Sequence, residues 1–350
     1  MDNVLCDITA FRYHRIPPQV LAVLPMLPQF VDDRRREAFC AHPLVADILG
    51  TPLHVATDLR GRNYTGRTFV KHLISGELPF GCVEQTDLDF DVASPLLTLF
   101  TMASHVSNER LIMAMYEFCG DFTVFDMPSS VSQLLKAAVD SGDLPSDYGW
   151  ENVCDVNGKP TDLWRRDPLT TIHELLAFAY QMSGRKGAKA FLRAARCVTG
   201  ICSSPFEVQV SMLLGLGRAR GGEGFSIENN VDISLTRNAR LISGTQKRCA
   251  DILVYNMDKT DSCIVECQGR AIHGSVESKI ADSDRTTALQ SMGHEVVLVT
   301  YAQASDAETF SVVAKLIAER AGMALKEKSP LQKSHEKELR REIFIDWSQF

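Results

Sequence analysis

A chain of 350 residues with 45% hydrophobic content is long enough for two domains, each with its own core. Its formal net charge of −7 excludes a protein that coats nucleic acid indiscriminately, because that mode rests on clustered Lys and Arg. The N-terminus has no basic start followed by an apolar run, and VLAVLPMLPQF is broken by prolines short of the roughly 20 apolar residues of a membrane helix. The expectation is a cytoplasmic protein with no membrane partner. Its ten cysteines, none in a CxxC pair, are then expected to be reduced thiols.

In chain order, residues 1–125 mix short extended segments with a helical pattern from Ser94 to Cys119, where Ser-Pro marks an N-cap and a first helical residue. Residues 126–198 are helical: MPSSVSQLLKAAVDSG, LTTIHELLAFAYQMSG and GAKAFLRAARCV carry apolar residues every three to four positions. Residues 199–325 begin with the helix SPFEVQVSMLLGLG. Strand-like FSIENNVDISL, ARLISG, ADILVYN and CIVEC follow, then a long helical pattern in VESKIADSDRTTALQSMG. HEVVLVTY closes this stretch and reads as a central strand buried on both faces. Residues 326–350 form a charged tail, expected as a helix docked through Ile343, Ile345 and Trp347. The class is α/β, with a mixed β-sheet flanked by helices in the C-terminal half after a mixed α+β N-terminal domain. The strands at 262–267 and 295–301, joined by a helix, are expected to be parallel with a right-handed crossover.

The stretch ECQGRAIH, residues 266–273, places a glutamate at the end of an apolar strand. If MDKTDS is a hairpin connection, residues whose numbers sum to 517 face one another, which sets Asp251 opposite Glu266. Like charges at about 4.5–5.5 Å across an antiparallel pair repel, and a cation relieves them. Alternation puts Gln268 on the face of Glu266. Two carboxylates with water suit Mg²⁺ or Mn²⁺, which polarises a phosphoryl oxygen and activates water. The competing reading makes Asp251 and Glu266 solvated edge residues, but an ionised carboxylate flanked by apolar residues requires pairing, protonation or a metal. Glu207 fits a capping box with Ser204, and it can also face a metal from the first turn of its helix.

The pattern from Gly184 to Gln303 resembles the PD-(D/E)XK nuclease superfamily, in particular its branch similar to very-short-patch repair (Vsr) endonucleases. The resemblance implies a restriction-endonuclease-like core with Glu207 as the helical acid, Asp251 as the strand aspartate and Glu266-Cys267-Gln268 as the (D/E)-x-K element. Gln268 stands where the family has lysine. It also matches Gly269 and His273 to the branch's glycine and histidine, and Asp282 and Arg285 to its D-x-x-R. In that frame Asp251 and Glu266 hold the metal, Glu207 assists, Gln268 places the water, and His273 and Arg285 steady the phosphate. Read locally, Asp282 and Arg285 are a surface ion pair three residues apart on a helix.

Nucleic-acid contact needs a basic face. Arg185, Lys189, Arg193 and Arg196 fall at spacings of four, four and three, giving one cationic helix side. Arg237, Arg240, Lys247 and Arg248 form a second cluster before Asp251; solvated helix surface is the competing explanation. In the N-terminal half, DITAFRYHRIPP, VKHLISGELPFG, VASPLLTLFTMAS and YEFCGDF resemble the body of AbiEi-type abortive-infection antitoxins, with Arg12, His14, Arg15, His72 and Glu117 serving the fold or a partner. The resemblance implies an Mg²⁺-dependent endonuclease of bacterial DNA repair or defence. The alternative is a nuclease-like regulator without turnover that binds nucleic acid or a toxin; a homodimer is a further possible assembly.

Overall fold

The computed structural model describes residues 4–27, 36–58, 66–88, 90–155, 157–269, 284 and 286–350. It is a mixed α/β chain with several sheets flanked by helices. The chain divides into two compact units. The first comprises Met1–Phe118, Thr123–Asn152 and Asp162–Ala195, and the second Cys119–Phe122, Val153–Thr161 and Arg196–Phe350. The helical stretch 126–198 is thus not a unit of its own, because its helices pack mostly within the first unit.

The first unit is built on a five-stranded sheet. β1 (Val4–Leu5) runs antiparallel to β2 (Leu53–Thr57) and parallel to β5 (Asp91–Ala93). β3 (Phe69–Leu73) lies parallel to β2, and β4 (Val83–Glu84) antiparallel to β5. Its helices are α1 (Asp7–Tyr13), α2 (Pro18–Val23), α3 (Arg36–Ala41), α4 (Pro95–Met102) and α5 (Asn108–Cys119). The pattern read as one helix over 94–119 is two. Ser94 caps α4 with Pro95 in its first turn, and Ser107 starts α5 by accepting from the amide of Arg110. α1 packs on α4 and β2, and Phe11 stacks on Phe118 with ring centroids 5.0 Å apart. Inside this core Arg15, 3% exposed, donates through Nε to Glu117, which is fully buried, at 2.8 Å; Thr123 donates to the same carboxylate at 2.7 Å. The two charges cancel in place, so Arg15 and Glu117 serve the fold.

α6 (Ser129–Ser141) follows and ends on Gly142 in the left-handed region. α7 (Ile172–Gln181) opens with a complete capping box between Thr171 and Glu174, and α8 (Ala188–Ala195) follows. Three short strands, β6 (Phe122–Val124), β7 (Glu151–Cys154) and β8 (Pro160–Arg165), form a small sheet in the order β6-β8-β7.

The second unit carries a four-stranded sheet in the order β12-β11-β10-β9, with β9 (Ser226–Ser234), β10 (Lys247–Tyr255), β11 (Ser262–Gln268) and β12 (Glu295–Thr300). β9, β10 and β11 are antiparallel neighbours, and β11 and β12 are parallel. α9 (Pro205–Gly215) packs on β9, β10 and β11, and the helix Ala307–Arg320 on β11 and β12. A further cluster joins Leu253 and Ile264 of the sheet to Ala239, Ala288 and Leu289. Two expectations change here. ARLISG is helical: α10 (Arg237–Ser243) is capped by Thr236 and stopped by Gly244 at φ 68°, and those end signals outweigh the apolar residues that suggested a strand. β12 lies at the sheet's edge among the described strands, with Leu298 41% exposed, so its apolar run does not mark a central position.

The tail forms a helix over Pro330–Ile343 with a Ser329–Gln332 capping box. Ile343 and Trp347 are buried and Ile345 half-buried. Lys328 bridges Glu223 at 2.7 Å and Glu336 at 2.8 Å, which holds the tail on the second unit. All ten cysteines are free, and among the described residues no helix is long and apolar enough to cross a membrane.

Candidate functional site

Of the expected nuclease residues, Glu207 lies on α9, Asp251 in the middle of β10, and Glu266 and Gln268 towards the end of β11, on which α9 packs. The β10–β11 ladder pairs Ile252 with Val265, Leu253 with Ile264 and Tyr255 with Ser262; one step further, the same register sets Asp251 opposite Glu266. The ladder to β9 breaks at the same point. It pairs Ala250 with Val231 and Ile252 with Asn229 but omits Asp251 and Asn230, and Asn230 has φ 54°. Ala250 and Leu253 consequently share one core cluster, which strict alternation would forbid. The distortion re-aims Asp251, whose Oδ2 accepts from the amide of Cys267 at 2.8 Å.

Glu207 enters from the first turn of α9. Ser204 caps that helix by accepting from the Glu207 amide, while the carboxylate accepts from the Ser203 amide at 2.7 Å and the Ser204 hydroxyl at 2.9 Å. Burial and then the charge of Asp251 push the Glu207 carboxyl well above its ordinary value, against the lowering by these two hydrogen bonds. Burial, then Glu207 and Asp251, likewise raise the Cys202 thiol, and burial, then Asp251 and Glu207, that of Cys267. Both cysteines therefore lie close enough to the two acids to feel their charge. Glu266 is 6% exposed and Gln268 half-buried. The structure thus brings Glu207 and Asp251 together and keeps Glu266 across the strand pair. His273, Asp282 and Arg285 lie outside the described residues.

The basic residues are largely engaged within the protein. Arg185 precedes α8 and donates to the carbonyls of Ser75, at 2.7 Å, and Glu77, so it is not part of a helix stripe. Lys189 and Arg193 are exposed on α8, whereas Arg196 follows the helix and belongs to the second unit. The glycines and the turn before Ala188 delay the helix, which separates Arg185 from the other three. Arg240 Nε donates to the Leu235 carbonyl at 2.8 Å, Lys247 pairs with Asp232 at 3.1 Å and Arg248 donates to the Ser243 carbonyl at 3.3 Å. Arg237 opens α10 as an exposed residue.

A different cluster appears in the first unit. Asp7 starts α1, His54 lies on β2, His72 on β3 and His105 just after α4. The carboxylate of Asp7, 1% exposed, places Oδ2 at 2.6 Å from His105 Nδ1, 3.8 Å from His72 Nε2 and 3.9 Å from His54 Nδ1. His54 Nδ1 and His72 Nε2 are 2.9 Å apart. Burial alone would raise the Asp7 carboxyl, but His105, His54 and His72 together hold it well below its ordinary value. Burial, and then the neighbouring cations, bring His72 down to about 4 despite the opposing pull of Asp7, so its imidazole is neutral near pH 7. Asp7, His54 and His72 can hold a metal ion: their ligand atoms lie within 4.8 Å of one another. Among the described residues that three-donor convergence occurs here and not at Glu207, Asp251 and Glu266. Sequence spacing carried no signal for it, since the three residues come from separate elements and match no motif.

No family of known proteins, no curated protein and no solved structure matches the chain.

Proposed function

We propose that the chain is a divalent-cation-dependent endonuclease acting on DNA, built on a restriction-endonuclease-like core in its second unit. The observation that carries this reading is the approach of Glu207 and Asp251, close enough for the charge of one to raise the carboxyl of the other. Two carboxylates fit Mg²⁺ or Mn²⁺, which use one or two such groups and keep water in the remaining positions. When bound, the cation supplies charge at a phosphoryl oxygen and acidity to water.

The chain's own residues do the rest. In this reading Asp251 and Glu207 hold the cation, and Glu266 and the amide of Gln268 keep the roles that the resemblance gives them, support of the cation and orientation of the attacking water. That water's oxygen bonds to phosphorus as the ester P–O bond breaks, and its proton ends on the departing sugar oxygen. Arg196, exposed and in the same unit as these acids, contacts a phosphate. Assays of single-stranded, duplex and mismatched DNA with Mg²⁺ or Mn²⁺ test the reading; cleavage that survives intact in both Asp251→Asn and Glu266→Ala removes the mechanism.

A second reading, a nuclease-like regulator without turnover, draws on a specific observation: Arg185, Arg240, Lys247 and Arg248 are satisfied by partners inside the protein. Binding of nucleic acid or a toxin that is unaffected by Asp251→Asn, with no cleavage by the wild type, favours this reading.

A further inference from the structure

The first unit offers chemistry that an acidic magnesium site does not. Two imidazoles and one carboxylate form the donor set of a transition metal; Mg²⁺ prefers oxygen ligands throughout. Bonds of about 2.0–2.2 Å put ligand atoms on a tetrahedral ion roughly 3.3–3.5 Å apart. The three edges of the Asp7–His54–His72 triangle, 2.9, 3.8 and 3.9 Å, straddle that value. Movements of roughly half an ångström would bring them to it.

The competing explanation is a hydrogen-bonded trio that only supports the fold. It accounts for the contact between the imidazoles, in which one ring nitrogen donates to the other. It accounts less well for Asp7 Oδ2, a buried atom whose contacts, the ion pair with His105 at 2.6 Å included, lack good hydrogen-bond alignment. Buried carboxylate oxygens are rarely left in that state. The rest of Asp7 is fixed with care: Oδ1 accepts from the Ile8 amide at 2.7 Å, and its own amide donates to Thr101 at 2.9 Å. It also sits at φ 53°, a left-handed conformation unusual for a non-glycine residue at the start of a helix. Strain of this kind persists where the surroundings impose it, commonly at binding sites.

One corner of the triangle, His72, faces open space. His72 and His105 line a cavity of about 620 Å³ together with Thr101, Ser104 and Lys186. We propose that Asp7, His54 and His72 bind one Zn²⁺- or Fe²⁺-class ion, with His105 orienting the carboxylate and with a coordination position open to this cavity for an exogenous oxygen ligand. The site is independent of the proposed nuclease centre.

Co²⁺ serves as the probe. The chain, stripped with chelator, is expected to bind Co²⁺ and to develop the intense visible d–d bands of a four-coordinate ion with nitrogen ligands, which then shift on adding inorganic phosphate. His54→Ala and His72→Ala weaken Co²⁺ binding by about 100-fold or more. On the wild-type chain, imidazole NMR resonances of His54 and His72 move on adding Zn²⁺, which needs no variant to fold. The proposal is overturned if the wild type shows no bands, if the bands survive both histidine substitutions, or if Zn²⁺ leaves the two imidazoles unmoved. Bands that ignore phosphate overturn the open position.

Discussion

Replacing Glu207 by glutamine separates a carboxylate kept for a cation from one kept only as a helix cap. Glutamine has the same shape, and its carbonyl oxygen can still accept from the Ser203 amide that now reaches Glu207 at 2.7 Å. What it loses is ionisation. In the folded chain the Glu207 carboxyl is raised above its ordinary value of 4.5 by burial and by Asp251. Its contribution to stability is therefore fully present below the unfolded value and is lost as pH climbs through the raised folded value. A tenfold change in an acid's ionisation constant corresponds to about 1.4 kcal/mol, and because Glu207 keeps part of its surface in water, a loss of about 1–3 kcal/mol is expected. Urea unfolding at roughly pH 5 and pH 9 reads it out: the variant gains on the wild type by about 1–3 kcal/mol at the higher pH and by little at the lower. The other titrating groups are common to both proteins and cancel. Mg²⁺ at about 100 times its Kd restores about 2.7 kcal/mol to the wild type alone. Parallel pH profiles for the two proteins would show that Asp251 does not act on Glu207, and a magnesium effect of equal size in both would show that Glu207 holds no cation.

Three further outcomes follow from the same structure. Glu117→Gln leaves the buried guanidinium of Arg15 without its counter-charge, so denaturation should reveal a loss of about 3–5 kcal/mol; a loss under about 1 kcal/mol contradicts the pairing. His14 donates through Nε2 to the Ala93 carbonyl at 2.8 Å, and burial brings it from 6.5 down to about 4, so its stabilising contribution is present above 6.5 and lost as pH falls through about 4. An NMR titration that places His14 at or above 6.5 refutes that environment. Gln268→Lys restores the positive charge of the (D/E)-x-K pattern, and cleavage of DNA with Mg²⁺ should rise by about tenfold or more; an unchanged rate argues against Gln268 beside the reacting phosphate.

Local chemistry made much of this chain legible before any coordinates. Ser94-Pro95 and Ser204 with Glu207 announce helix starts because a side-chain oxygen beside a free amide needs only a few consecutive residues. The β10–β11 register could be counted from the hairpin, since an antiparallel ladder advances one residue at a time from its turn. The same reasoning misread ARLISG, where capping residues outside the apolar run decided for a helix, and the apolar β12, whose edge position depends on the order of strands. It also grouped Arg185 with the α8 residues, although a turn removes it from the helix.

The sequence by itself determined that Asp251 and Glu266 lie in facing strands and that Glu207 sits in the first turn of α9, because register follows from the hairpin and the capping pattern from a few consecutive residues. Only the tertiary structure decided that Asp251 turns towards Glu207, through a break in the ladder at Asn230, and that Asp7, His54 and His72 meet. Distances between side chains on separate elements are set by how sheets twist and helices pack. No run of adjacent residues encodes them.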